Sequence, residues 1–107
     1  MATSMPVRDD LERKLMEIPG LTRRPSRWGH TYAYHVGDRE IAHFHGDQRL
    51  DVRLTKERIR ELKSEGGLDE RVRTRGASAE WASVSVREAR DVAFAVYLVQ
   101  EAVHANS

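Results

Sequence analysis

Apolar and polar residues alternate along residues 32–54, and this period of two is the pattern of β-strands rather than of helices. Gly37-Asp38 interrupts the alternation and has the composition of a two-residue hairpin loop, because glycine supplies the positive backbone angle that the tight turn needs. A second bend is predicted at Gly46-Asp47 or one position later. The stretch therefore predicts three antiparallel strands joined by two tight turns.

The first hairpin loop predicts which side chains share a face of the sheet. Val36 pairs with Arg39 across the loop, and a regular ladder then fixes every earlier pair. One face gathers histidines, tyrosines and apolar residues, namely His30, Tyr32, Tyr34, Ile41, His43, His45, Leu50, Val52 and Leu54. The other face is more polar and carries Ala33, His35, Glu40, Ala42, Phe44, Asp51 and Arg53. Since the more polar face of an antiparallel sheet is usually the one nearer water, the histidines are predicted to lie on the covered face.

Three further segments have the spacing of amphipathic helices, and one more reads as a strand. The helices are predicted from Asp9 or Asp10 to Pro19, from Thr55 to Glu65 and from Glu88 to His104, and the strand from Trp81 to Val86. The order α-β-β-β-α-β-α predicts an α+β two-layer sandwich, with an antiparallel sheet of about four strands covered by helices. Residues 1–8 are expected to be a disordered leader, and residues 9–107 a single domain.

Composition narrows the classes of partner. The formal net charge is +1, so neither nucleic acid nor an anionic membrane is expected as a partner. The chain has no cysteine and no secretory or membrane-spanning segment, which predicts a cytoplasmic protein. The arginines near residues 23–24 and 71–75 are interpreted as solvated loops, with an edge strand as an alternative for the first. Phe44 and Trp81 on an exposed sheet face make a homodimer as well supported as a monomer.

The main hypothesis is a pocket for a small organic ligand between the sheet and its helices. Histidines one residue apart on a strand point to the same face, and imidazole titrates near neutral pH, so cofactor-free proton transfer such as isomerisation, cyclisation or elimination is expected. One histidine would act as base, and a tyrosine or the second histidine as donor. The predicted catalytic residues are His43, His45, Tyr32 and Asp47, with Asp47 orienting His45; the predicted ligand-binding residues are Trp28, His30, Tyr34, Ile41 and Val52.

Three alternatives stay open. His30, His43 and His45 would supply three imidazole nitrogens to a divalent metal such as zinc or iron and leave one position open. The basic segments would instead serve an interaction module that binds nucleic acid or an acidic partner, although the net charge of +1 disfavours an extended phosphate contact. In the third alternative the histidines are structural, and they bond to tyrosine hydroxyls or backbone without doing chemistry.

The segment His43-Phe44-His45-Gly46-Asp47, with residues 15–25, 27–29, 36–42 and 50–52 around it, resembles the small bacterial proteins of the luciferase-domain family. The resemblance spans residues 11–97 and implies the α+β strand assignment, but not light emission. Members commonly carry a histidine before the last strand and enter that strand through Ser-Gly-Trp. This chain reads Arg71-Val72-Arg73 and Ala79-Glu80-Trp81 there. If that histidine belongs to a site that the family shares, the resemblance implies that this chain has changed its ligand or lost the activity.

Overall fold

Three helices and six strands form along residues 6–25, 32–75 and 79–107, the parts of the chain that the computed structural model describes. In chain order they are α1 (Val7–Leu15), β1 (Thr22–Arg24), β2 (Ala33–Val36), β3 (Arg39–Phe44), β4 (Arg49–Arg53), α2 (Lys56–Ser64), β5 (Val72–Thr74), β6 (Trp81–Ser85) and α3 (Ala89–Ala105). The α+β class is confirmed.

The sheet has six strands in the order β1-β2-β3-β4-β6-β5, and each neighbouring pair is antiparallel. The predicted number of four is therefore wrong. Both additional strands lie at the edges: β1 was predicted as a loop or edge strand, and β5 as a solvated loop. Each has only three residues and includes arginine, so the sequence shows no alternation long enough to indicate a strand.

The helices begin close to the predicted positions. In α2 the Thr55 hydroxyl accepts a hydrogen bond from the Arg58 amide at 3.3 Å, as expected of an N-cap. Glu88 precedes α3 and forms a reciprocal capping box with Asp91. The prediction of Asp9 as N-cap is wrong: Pro6 takes that position, so residues 7 and 8 of the expected leader are helical. Among the described residues, every helix is too short or too polar to cross a membrane.

All three helices contribute to one hydrophobic core on a single face of the sheet. The helical members of that core include Leu11 and Leu15 of α1, Ile59 and Leu62 of α2, and Leu98 and Val99 of α3. The sheet members include Tyr34, Ile41, Ala42, Phe44, Leu50, Val52, Ala82 and Val84. We call this the covered face, and the opposite face of the sheet the outer face.

A bulge in β3 changes which side chains reach the covered face. Val36 pairs with Arg39, and His35 with Glu40, as the hairpin loop predicts, but Tyr34 pairs with Ala42. Ile41 is therefore an extra residue in the ladder. A single extra residue reverses the alternation beyond it. Ile41 and Ala42 are both fully buried as a result.

The loop between β3 and β4 is one residue longer than predicted. The His45 amide donates to the Arg49 carbonyl at 2.9 Å, which leaves Gly46, Asp47 and Gln48 as a three-residue loop. Gly46 has a φ of +77°, a backbone conformation that favours glycine. Phe44 pairs with Leu50, and His43 with Asp51. The prediction that His43 shares a face with Leu50 is therefore wrong.

Candidate functional site

One row of polar side chains crosses four strands of the outer face. The strand register places His43 of β3 beside Asp51 of β4, Asp51 beside Ser83 of β6, and Ser83 beside Arg73 of β5. Side chains of directly opposite residues in a sheet point to the same face. The row therefore follows from the register alone, and the two irregularities of β3 and its loop bring His43 into it.

His43 lies between two carboxylates. Its Nδ1 is 3.0 Å from Glu40 Oε2, and its Nε2 is 3.2 Å from Asp51 Oδ2. The side chains of His43, Glu40 and Asp51 are only 16%, 13% and 24% exposed. The hydrogen bond to Asp51 raises the pKa of His43 above its ordinary value of 6.5, although burial opposes the change. Below this raised pKa, His43 is an imidazolium whose two ring nitrogens face the two carboxylates.

Asp51 receives hydrogen bonds from two neighbours. Burial disfavours its charged form, but the bonds from His43 and Ser83 outweigh burial, so the pKa of Asp51 is lowered from its ordinary value of 3.8. The Ser83 hydroxyl also accepts from Arg49 Nε at 3.0 Å. Because Asp51 lies between the serine and the histidine, the order of contacts differs from a Ser-His-Asp triad, in which histidine contacts serine.

An open groove of about 940 Å³ runs along this row. The indole of Trp81 forms one wall, with its ring centroid 5.2 Å from that of His43 and the two ring planes inclined by 47°. The remaining lining side chains are mostly polar or charged and include Glu40, His45, Arg49, Asp51, Arg73, Thr74, Arg75, Glu80 and Ser83. The groove thus combines one aromatic surface with many hydrogen-bonding groups, and its lining is more polar than that of most small-ligand sites.

Several predicted site residues lie on the other side of the sheet. Tyr34, Ile41 and Val52 are buried in the hydrophobic core of the covered face, away from His43. Burial raises the pKa of Tyr34 from 10 to about 12, so its phenol is a weaker acid than an exposed tyrosine. The predicted pairing of Tyr32 with His43 is also wrong, because Tyr34 pairs with Ala42 and the ladder is shifted by one residue. The ring of Tyr32 instead packs against the Arg23 guanidinium, 4.8 Å from the ring centroid.

The remaining predicted residues have different outcomes. His45 lines the groove but is exposed, one residue beyond the end of β3. Asp47 pairs with Arg8 at 3.0 Å, and its side chain is 87% exposed, so the expectation that it orients His45 is not met by this geometry. Trp28 and His30 lie outside the described residues. Phe44 is buried on the covered face, which removes it from the expected homodimer surface.

The histidine metal site stays a prediction because His30 falls outside the described residues. Within the ranges given above, no group of three histidine or acidic side chains is arranged to hold a metal ion. Both ring nitrogens of His43 already contact carboxylates, whereas a metal ligand needs a free nitrogen lone pair. The described part of the site is therefore better suited to hydrogen bonding and proton transfer than to metal binding.

Sequence reasoning missed Asp51, Ser83 and Trp81 as site residues. The sequence did contain a signal for them. Alternation in Arg49–Arg53 and Trp81–Ser85 places these three side chains on the face opposite the buried leucine and valines. What the sequence did not show was that β4 and β6 are neighbours, or that His43 faces the same side.

Comparison with known proteins gives a match to one family. Residues 38–102, more than half of the chain, match the family model described as Luciferase domain. Comparison with curated proteins and with solved structures found no significant match. The matched span begins in the first hairpin loop and ends inside α3, and it contains every member of the row from His43 to Arg73.

Proposed function

The chain belongs to the luciferase-domain family, and from that premise we propose that its outer-face groove binds a small organic ligand and moves protons on it by acid–base chemistry without a cofactor. The observation that carries the proposal is the position of His43, which is held between Glu40 and Asp51 at the wall of the groove. An imidazolium beside a carboxylate supplies an acid and a base within one site.

Trp81 and the polar walls account for ligand binding. A planar ligand placed against the Trp81 indole would bury apolar area, while the groups around it offer hydrogen bonds that fix its orientation. Ser83 contacts Asp51 from the side opposite His43, and Arg49 Nε donates to the Ser83 hydroxyl, so the carboxylate is oriented before a ligand arrives. Such preorganisation reduces the cost of arranging the site during the reaction.

The proposed chemistry is a proton transfer of the isomerase, cyclase or lyase type. Asp51, the more exposed of the two carboxylates on His43, accepts a proton from ligand carbon or oxygen. His43 donates its Nε2 proton, which turns from Asp51 to a developing oxyanion, while Nδ1 stays on Glu40. The proton on Asp51 then returns to the neutral imidazole along their hydrogen bond. This return restores the starting charges, so the cycle needs no external acid.

A second version of the proposal is ligand binding without turnover. Both ring nitrogens of His43 already contact carboxylates. This arrangement favours a fixed hydrogen-bonded group of His43, Glu40 and Asp51 that recognises a ligand and leaves it unchanged. The two versions share the groove and differ only in whether a ligand proton exchanges.

Solvent isotope exchange separates the two versions. A panel of small ketones, enols and hydroxy acids would be incubated with the protein in D2O, and exchange of carbon-bound protons followed by ¹H NMR. The catalytic version predicts exchange of at least one compound, with a loss of about a hundredfold or more in Asp51→Asn and His43→Gln. His104→Gln is the matched control, because His104 is exposed on α3 and lies outside the groove.

The outcomes discriminate clearly. Unchanged compound recovered from a tight complex would reject catalysis and keep the binding version. NMR chemical-shift changes that the compounds cause only in residues of the covered face would reject the outer-face groove as the binding site.

A further inference from the structure

The carboxylates of the groove are all engaged with cations of the protein. Glu40 and Asp51 share His43, at 3.0 and 3.2 Å. Glu80 Oε1 lies 3.6 Å from the Arg53 guanidinium. The negative charge at this wall is therefore compensated in part from within the chain, because two of the three carboxylates share one imidazole.

The arginines of the groove are not compensated in the same way. Within the described residues, Arg73 and Arg75 are exposed and make no ion pair. In the same part of the chain, Arg49 donates one side-chain hydrogen bond, from Nε to the Ser83 hydroxyl, and makes no ion pair. Several arginines elsewhere are paired, since Arg71 binds Asp69 and Asp91 and Arg58 binds Glu101. Arg60 and Arg87 are exposed and also make no ion pair within the described residues, but they lie outside the groove and apart from Trp81. The groove thus carries an excess of positive charge at the end formed by β5.

The positive end and the aromatic wall share one face of the sheet. Arg73 pairs with Ser83 in the strand register, and Trp81 precedes Ser83 by two residues on β6, so all three project to the outer face. Guanidinium groups recognise carboxylates through paired, charge-assisted hydrogen bonds. A ligand with an acidic group and a flat ring would match both ends of the groove at once.

We propose that the ligand of this groove is a planar organic carboxylate, with its acidic group held by Arg73 and Arg75 and its ring against Trp81. The inference rests on the proposed function and adds the chemical class of the ligand. Arg49 contributes positive potential from the other side of Ser83. Because Arg73 and Arg75 hold the carboxylate of the ligand, that group stays away from Asp51. Asp51 therefore has no second negative charge beside it.

The test compares a carboxylate with a neutral molecule of the same shape. 2-Naphthoate and 2-naphthalenemethanol would each be titrated into the wild-type protein, and the Trp81 indole N–H followed by ¹H–¹⁵N NMR, with Trp81→Phe used to assign its signal. We expect the dissociation constant of the acid to be about tenfold smaller than that of the alcohol. Added salt should reduce this difference, because it screens exposed charges.

Two double variants locate the source of the selectivity. R73Q/R75Q should bring the acid to the affinity of the alcohol. R60Q/R87Q removes the same charge from exposed arginines outside the groove and should keep the difference. Folding of each variant is checked by its amide spectrum, and Arg73→Lys with Arg75→Lys keeps the charge and should keep part of the selectivity.

Each contrary result points to a different failure. Equal affinity for acid and alcohol at Trp81 would overturn the proposed ligand class and leave a small-molecule groove in place. Acid selectivity that survives R73Q/R75Q would overturn the role of the two arginines. No shift of Trp81 with either probe at millimolar concentration would overturn the planar-carboxylate class. The proposed function fails separately, if the isotope-exchange panel shows no exchange and none of its compounds binds in the groove.

Discussion

The two faces of one strand differ in what holds them in place. On β4, Leu50 and Val52 point to the covered face and are fully buried among helical side chains. Their neighbour Asp51 points to the outer face and is held by His43 and Ser83. The covered face therefore depends on apolar packing, and the outer face on a network of charged hydrogen bonds.

This difference separates stability from chemistry in the molecule. The covered face gathers its side chains into one apolar cluster, and burial within it raises the pKa of Tyr34 to about 12. The outer face keeps titratable groups half-buried beside a groove, where a ligand can reach them. Substitutions on the covered face should therefore mainly lower stability, and substitutions on the outer face should mainly lower ligand-dependent activity.

The largest effect is expected on the covered face. Leu50→Ala should lower the free energy of unfolding by about 3 kcal/mol, because it leaves a cavity in a fully buried position. Asp51→Asn, the adjacent residue on the outer face, is the matched control and should cost about 1 kcal/mol. Urea denaturation measures both values. An aspartate substitution at least as costly as the leucine substitution would contradict the division between the faces.

His43→Gln should have the next largest effect on stability and the largest on function. At about pH 5.5 we expect a loss of about 2 kcal/mol, because Glu40 and Asp51 keep their charges without the imidazolium between them. Ligand-dependent proton exchange should fall by about a hundredfold or more. Glutamine has no positive charge but keeps an NH2 group that can still donate to a carboxylate. Full exchange activity in this variant would exclude His43 as the acid.

The fold class could be predicted from the sequence, but the face of His43 could not. The Gly37-Asp38 loop, the Thr55 cap and the stripe of α3 are local signals, and the structure bears them out. The bulge at Ile41 and the third loop residue depend on how three strands fit together over the core. Because each inserts one residue, each reverses the alternation, and together they return the leucine and valine of β4 to the covered face while excluding His43.

The stabilisation that His43 provides should depend on pH in a defined direction. Its pKa is raised above 6.5 in the folded protein, so the contribution is complete below that pH and is lost as pH rises through the folded value. The pKa of Asp51 is lowered below 3.8, so its contribution is present above that pH and is lost as pH falls through the folded value.

The difference in unfolding free energy between the wild type and His43→Gln should therefore be larger at about pH 5.5 than at about pH 9, by about 1 kcal/mol. Urea denaturation at the two pH values, with His104→Gln as the control, provides the comparison. A difference that grows with pH would mean that His43 is stabilised in its neutral form.

A smaller effect is expected in the loop that sets the register of β4. Gly46→Ala should cost about 1 kcal/mol, because the positive φ disfavours a side chain even though the space around it is open. Gly46→Asn should cost less, since asparagine tolerates this conformation better. Thermal unfolding measures both variants. Equal stability of alanine and glycine here would show that the loop does not require the positive φ.

The smallest effect is expected from Tyr34→Phe on the covered face. The Tyr34 hydroxyl is buried without a hydrogen-bond partner among the described residues, so its removal should change the unfolding free energy by less than about 1 kcal/mol. Ligand binding in the groove should be unchanged, because Tyr34 belongs to the core. A variant that folds normally but loses ligand binding would return the site to the covered face.

The pKa of His43, measured by NMR titration of its ring in the wild type and in Asp51→Asn, tests the central claim most directly. A histidine packed beneath helices would have a lowered pKa, because burial disfavours the charged ring. The contact between His43 and Asp51 on the outer face predicts a pKa of His43 above 6.5, and this pKa should fall when Asp51→Asn removes the carboxylate charge. A value below 6.5 that does not respond to Asp51→Asn would contradict the assignment of His43 to the outer-face groove.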